Sequence, residues 1–422
     1  MVAGPAGFRL VVPGRSLPRT AAFWSVAVFL VLMLAASGVP SPLYRVYQEE
    51  FGFSSGVLTT IFGIHSFALL LSLLVVGALS DHVGRRPVLV AAFLLEAAAM
   101  VLFLTSDGVA WLLAARVVQG LATGALTSTL GAAVIDLQDR DRPMGAFINS
   151  AAPGLGLSLG AVGAGLLVQF VPSPTDWVFA VLTVVFVAAS IGTLVLLPET
   201  SPRLPGAVAS LRPQVHVPQA QRRAFLVALP VLVATWAIGG LYASLGPSLL
   251  VDVYGIDNHL MGGLLILAVN GTGILGSVAL RTAAPERALT TGTLIFAAGV
   301  AGTVVALFAG SVVALFVAAV VTGFGFGGAF LGAVASITHD VSPGHRAGLL
   351  AGVFVVGYLA FSLPAIAAGI SVGTFGLERT SEVYGVAVIL LALTAVAGLA
   401  LARRPRRKTA VPLDEDTPVM AA

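Results

Sequence analysis

The sequence predicts an all-α polytopic membrane protein whose twelve transmembrane helices form two pseudo-symmetric six-helix bundles. Three observations predict it. Apolar runs of about 20 residues, long enough to cross a bilayer core, recur along the chain. Almost all arginines fall in alternate gaps between those runs, and segments of the first half match segments of the second. Composition agrees: of 422 residues, 58% are hydrophobic and 10% charged, whereas a soluble domain carries about 25% charged residues. Disorder and an ordinary water-facing globule are therefore excluded. Without cysteine there is no disulfide framework, cysteine zinc site or thiolate catalysis. The 22 basic residues, 21 of them Arg, occupy short gaps instead of one folded face, so no nucleic-acid partner is expected.

The elements follow in order. Residues 1–20, with Arg9, Arg15 and Arg19, form a predicted cytoplasmic tail without a signal-peptide cleavage pattern, so the first apolar run reads as a retained span. The N-terminal bundle (21–197) holds spans at 21–42, 54–79, 87–106, 109–136, 144–171 and 177–197. Residues 198–223, with Pro202, Pro205, Pro213 and Pro218, read as a cytoplasmic linker. The C-terminal bundle (224–402) holds spans at 224–250, 259–280, 288–309, 311–338, 347–372 and 382–402. Residues 403–422 form a second cytoplasmic tail, whose Arg403–Lys408 run reads as a basic anchor able to attract anionic lipid. With the N-terminus inside, nineteen basic residues lie inside and only Arg45 and Arg379 outside, so both termini are expected on the cytoplasmic face of the cell membrane.

The halves are related. Residues 40–47 match residues 247–254 at five of eight positions, and at an offset of 204 Asp136 falls on Asp340 and Arg142 on Arg346. Both offsets lay each span over the span six later, and parallel repeats of this kind form a substrate site between bundles near the midplane.

Between spans 2 and 3 the chain reads Gly77-Ala78-Leu79-Ser80-Asp81-His82-Val83-Gly84-Arg85-Arg86. Gly84 permits a tight reversal across which Asp81 and the arginines can pair. At this loop the sequence resembles the major facilitator superfamily, whose signature is G-x-L-x-D-x-x-G-R-R. Arg116-Val117-Val118-Gln119-Gly120 with Gly124 resembles the R-x-x-Q-G pattern of span 4 in that superfamily. Pro153, Gly156 and Gly160 partly resemble its antiporter-associated span 5 motif, without the usual Gly before Pro. Leu197-Pro198-Glu199 resembles the Pro-Glu segment after span 6. The resemblance implies a cytoplasmic gating network of Asp81, Arg85, Arg86, Asp136, Arg140, Arg142 and Glu199, with Asp340 and Arg346 as its second-half counterparts. The second copy of the signature loop, Arg281–Arg287, is degenerate.

Three ionisable residues fall inside spans: His65, Glu96 and Arg116. Each costs about 2.5–3.5 kcal/mol at a helix centre on the lenient scale, so each points to function. At about 1.5 Å per residue, His65 lies about 16 Å and Arg116 about 10 Å below the outer ends of their spans, and Glu96 about 14 Å from the inner end of span 3. Arg116 is always charged and needs an anion or an aqueous cavity. It is read as lining the central cavity and coupling substrate to proton movement, with a structural ion pair as the alternative. His65, which titrates near neutrality when unperturbed, reads as a proton carrier or an interhelical hydrogen bond. Glu96 reads as the exchanging carboxyl, although span 3 is peripheral in the resembled family and that favours packing. Span 1 lacks the acidic residue that many proton-coupled drug exporters of the family carry. Trp236, Tyr242, Asn149 and Asn270 are further cavity groups or interhelical glue. Pro40, Pro42, Pro247 and Pro364 suggest kinks, and Gly323–Gly328 reads as close helix packing.

These readings point to a secondary transporter working by alternating access, with proton-coupled efflux of a small amphipathic compound as the expectation. The alternative is import or facilitated diffusion of a sugar or organic acid. An acid-lined, largely apolar cavity would favour the exporter, and one rich in Asn, Gln and aromatic groups the sugar route. No nucleotide-binding motif is present, so the proton-motive force is the expected energy source, without metal or other cofactor. The expected partners are a small-molecule substrate, protons and membrane lipids, with the protein a monomer. No constellation suggests an enzyme.

Overall fold

Local chemistry sets the helix ends. In the computed structural model, which describes residues 16–339 and 341–402, Ser54, Asn258 and Ser311 each accept an amide hydrogen three residues on. These side chains satisfy orphan donors at three helix starts. Prolines occupy the first turn of five further helices, where their missing N–H costs nothing.

The elements are α1 (Arg19–Gly38), α2 (Pro40–Phe51), α3 (Ser55–Val76), α4 (Leu79–Val83), α5 (Arg85–Leu104), α6 (Val109–Leu137), α7 (Gly145–Phe170) and α8 (Pro174–Leu196). The short α9 (Ala207–Ser210) lies between the halves. Then come α10 (Arg222–Ser244), α11 (Gly246–Asp252), α12 (His259–Leu280), α13 (Pro285–Phe308), α14 (Val312–Thr338), α15 (Pro343–Phe375) and α16 (Leu377–Ala402). Twelve helical stretches among the described residues are long and apolar enough to cross a membrane. Large apolar side chains stand bare on the outer surface, Phe308, Val313 and Phe375 each about two-thirds exposed, which suits hydrocarbon and not water.

Two predicted spans differ from the structure. The run ending at 42 continues as α2 to Phe51, with Tyr44 and Tyr47 buried, and the run ending at 250 is divided into α10 and α11 at Leu245. Pro40 and Pro247 open α2 and α11, whereas Pro364 lies within an uninterrupted α15. Both tails beyond the described residues, with Arg9, Arg15 and Arg403–Lys408, and also Asp340, lie outside this description.

Packing repeats with the sequence. In the first half α3 lies on α6, α5 on α6 and α8, and α1 on α7; in the second α12 lies on α14, α13 on α14 and α16, and α10 on α15. Each pair recurs six spans later, as parallel repeats require. Two seams join the halves, α7 with α12 and α3 with α15, and they are each other's counterparts. Glycines let these helices approach. A Cβ on Gly156 would stand 2.5 Å from the Leu34 Cβ, and Gly160 lies against the Ala35 backbone. Gly120 and Gly124 seat α6 on α3 at His65 and Leu69, and Gly323, Gly325 and Gly327 seat α14 on α12 and α13, the packing predicted for that stretch.

The loops with Arg85, Arg86, Arg140, Arg142 and Arg203 share one end of the molecule, here the basic end. Contacts along the α3–α15 seam run from Gly56–Ile370 through Gly369–Thr59 and Gly63–Ile366 to Phe62–Phe361. All lie in the half of α3 away from the basic end. At that far end Arg45 also pairs with Asp252 at 3.1 Å.

Candidate functional site

The loop at the basic end is built around Glu199. Its carboxylate accepts the backbone N–H groups of Arg85 (2.8 Å), Arg86 (3.3 Å), Thr200 (3.1 Å) and Ser201 (3.0 Å). Two of these are orphan amides at the start of α5, where a negative charge is favourable. Gly84 precedes them with φ +120°, and a Cβ there would stand 2.6 Å from Glu199 Oε2, so geometry and space both demand glycine.

The Arg85 guanidinium pairs with Asp81 and with Asp136 (3.2 Å) and donates to Ser80 Oγ (2.6 Å). Thr200 Oγ1 donates to Asp136 at 3.0 Å, Arg203 reaches Glu199 at 3.6 Å, and Arg86 donates to the Leu194 carbonyl. Arg19 closes the array by donating to the carbonyls of Asp136, Leu137 and Gln138, the unsatisfied end of α6. Gly77 caps α3 beside the loop through the Leu73 carbonyl at 3.1 Å. The array ties α1, α4, α5, α6 and α8 together with the linker, whose Leu204 N–H and Ser201 hydroxyl both donate to the Asp81 carbonyl.

Two expected members stand outside the network. Arg140 and Arg142 are exposed on the loop after Leu137, because Arg85 already occupies Asp136 and helix α6 ends before either arginine. Arg346 is likewise exposed and donates to the Val341 carbonyl of its own loop (3.1 Å).

The intramembrane residues His65, Glu96 and Arg116 meet inside the N-terminal bundle, 6%, 0% and 2% exposed. Arg116 is directed inward from α6 and is sealed from open solvent in this state, its guanidinium held by Gln119. Arg116 and Glu96 do not touch directly; Gln119 stands between them. Arg116 Nη1 donates to Gln119 Oε1 at 2.6 Å, and Gln119 Nε2 donates to Glu96 Oε1 at 3.3 Å and to the Ala36 carbonyl at 3.1 Å. That carbonyl is free because residue 40, its partner in a regular helix, is proline and has no N–H. Glu96 Oε2, Arg116 Nε and His65 Nδ1 have no hydrogen-bond partner among the described residues. A guanidinium held by a neutral amide, with its carboxylate one side chain away, is incompletely compensated in a dry interior. Such a group can exchange its partners when water enters.

Gln119 was visible in the sequence only as part of a pattern, and nothing there marked its bond to Ala36. Thr200, Ser201, Arg203 and the Arg45–Asp252 pair were not singled out as functional. The pair was legible in one respect, since both residues occupy the same place in the matched segments 40–47 and 247–254. Tyr242 bonds Thr303 (2.7 Å) and Asn149 the Gly131 carbonyl (3.0 Å), each joining two helices, whereas Asn270 bonds its own helix at Ile266 (3.0 Å).

A family model described as Major Facilitator Superfamily matches residues 25–363. Tetracycline resistance protein, class C, of Escherichia coli is 38% identical over 125 residues, which is 29% of this chain and 30% of that protein. The gentisate transporter of Corynebacterium glutamicum is 27% identical over 169 residues, 40% of this chain and 37% of that protein. The chain thus matches about a third of the length of these curated relatives. Among solved structures, a bacterial homolog of the human lysosomal transporter Spinster, in an inward-facing and occupied conformation, superposes with a TM-score of 0.74 at 14% identity. That superposition covers 90% of this chain and 97% of the other and speaks for the fold alone.

Proposed function

This chain belongs to the Major Facilitator Superfamily, and we propose that it exports a small amphipathic compound by alternating access, driven by proton entry. It is a multi-pass membrane transporter by family and fold. The direction, the coupling ion and the substrate are the proposal, as are a monomeric state and a cell-membrane orientation with both termini and the basic end in the cytoplasm. The far-end seam contacts then describe a state closed to the outside.

The observation that carries proton coupling is the sealed chain Arg116–Gln119–Glu96, with one carboxylate oxygen unbonded. Glu96 is inaccessible here, so a proton reaches or leaves it only in another state of the bundles, which is the linkage an antiporter needs. The network around Arg85 and Glu199 supports the cycle as a latch that holds the helix ends of the N-terminal bundle. A name that includes tetracycline resistance favours efflux, and the gentisate transporter keeps metabolite transport as the second reading. Against a sugar route, Asn149 and Asn270 each commit one side-chain N–H to backbone.

The test is flux in proteoliposomes with an imposed pH gradient, screening cationic drugs, aromatic acids and sugars. Wild type should show gradient-dependent flux of one class. Arg116→Ala and Glu96→Gln should lose that dependence at least tenfold while still folding. Equal, gradient-independent flux in all three proteins overturns the coupling.

A further inference from the structure

Six aromatic rings on the C-terminal bundle form one continuous array that meets Phe62 of the N-terminal bundle. Trp236 of α10 lies 5.0 Å from Tyr358, 6.1 Å from Phe361 and 6.0 Å from Phe330, centroid to centroid. Phe326 stacks on Phe330 at 6.2 Å, Phe354 lies 6.3 Å from Tyr358, and Phe361 reaches across the seam to Phe62 at 5.1 Å. The Phe62–Phe361 pair lies in the far half of the α3–α15 seam. The other rings continue from it towards the basic end, about 12–22 Å along their helices from that end.

The array has the features of a wall rather than of a core. Trp236, Phe326, Phe330, Phe354, Tyr358 and Phe361 all keep part of their surface uncovered, at a depth where core phenylalanines such as Phe93 of the N-terminal bundle and Phe296 of the C-terminal bundle are sealed. Gly357 removes the side chain that would collide with the Trp236 indole, since a Cβ there would stand 2.7 Å from it. The indole Nε1 is buried without an acceptor among the described residues. An unpaired donor of that kind is unfavourable, and an acceptor on a bound molecule would relieve it. The charge pattern narrows the class further. Between their end turns, α7, α10, α12, α14 and α15 carry no Asp, Glu, Lys or Arg, and α3 carries only His65.

We infer that this wall is the recognition surface for an uncharged aromatic ring bearing a hydrogen-bond acceptor, with Trp236 and Phe330 stacking on the ring and Trp236 Nε1 donating to the acceptor. Offset and edge-to-face ring packing discriminates an aromatic from a saturated ring of equal size. The inference rests on the transporter reading above and names the substrate class it would carry. Charge on the transported molecule then lies outside the part held here.

The protein itself supplies the probe. Of its four tryptophans, Trp24, Trp111 and Trp177 are exposed on the outer surface. Replacing those three with Phe leaves Trp236 as the sole tryptophan, excited selectively at wavelengths where the six tyrosines do not absorb. Purified protein is titrated with N-(2-hydroxyethyl)benzamide and with its saturated counterpart N-(2-hydroxyethyl)cyclohexanecarboxamide. The benzamide should change Trp236 emission saturably, and the saturated ring should bind about three- to tenfold more weakly. Phe330→Leu, and independently Phe354→Leu, should weaken only the benzamide, with elution as a single folded species as the control. Equal binding of the two rings, no response to the benzamide, or binding indifferent to both variants overturns the inference. Proteoliposome flux separates the two readings. Gradient-driven transport of non-aromatic solutes with no ring preference leaves the transporter and removes the aromatic wall. Saturable Trp236 quenching with no flux of any solute removes transport and leaves the ring site.

Discussion

Pro40 leaves the Ala36 carbonyl without the amide it would meet in an unbroken helix, and Gln119 fills that gap while holding Arg116 and Glu96 apart. Three groups therefore depend on one neutral side chain. Gln119→Leu keeps the volume and removes every bond, and each buried group left unsatisfied costs about 1–3 kcal/mol. The variant should unfold several degrees below wild type in detergent, whereas Asn270→Leu, which loses one bond to its own helix, should shift the midpoint far less. An equal shift in both would deny Gln119 its central place. Gly84 carries a second prediction at this scale. Gly84→Ala meets both a φ of +120° and the Glu199 carboxylate, and strain of this sort costs about 1–3 kcal/mol. It should slow transport more than Gly163→Ala, which meets open space.

Among the elements, α2 and α11 decide how the far end closes. They are equivalent segments of the two repeats, and Arg45 on one meets Asp252 on the other at 3.1 Å. A two-fold-related pair with opposite charges latches the halves without needing a partner from elsewhere. Both side chains keep contact with solvent, so the pair is worth about 0.2–1 kcal/mol. The cysteine-free chain makes the consequence measurable. With Thr59→Cys as reporter, sealed at the seam against Gly369, Arg45→Ala should raise the labelling rate by an impermeant maleimide about one-and-a-half- to fivefold. The exchanged pair Arg45→Asp with Asp252→Arg should restore it. No change in Arg45→Ala, or no rescue by the exchange, would show that the latch lies elsewhere. At the basic end the linker acts as a second tie, bonding Asp81 on one side and, through the His216 N–H to the Gly348 carbonyl (3.2 Å), α15 on the other.

Across the whole molecule, two six-helix bundles meet along α7–α12 and α3–α15, and the close contacts Gly56–Ile370, Gly63–Ile366 and Phe62–Phe361 of the second seam lie in its far half. The apolar runs, the arginine-rich end and the signature loop at Gly77–Arg86 were legible in the sequence. Hydrocarbon penalises each bare charge and each unpaired amide locally, so a window of about 20 residues carries the information. His65, Glu96 and Arg116 were legible as exceptions to the same penalty. Their arrangement was not. That Gln119 bridges Arg116 to Glu96, that Arg140 and Arg142 fall outside the loop network, and that Trp236 heads a wall of rings all depend on residues distant in the chain. Those distances follow from how closely glycines such as Gly120, Gly160 and Gly357 let helices and rings approach. Local solvation wrote the spans and the basic end into the sequence, whereas the contacts between segments exist only once packing has chosen the neighbours.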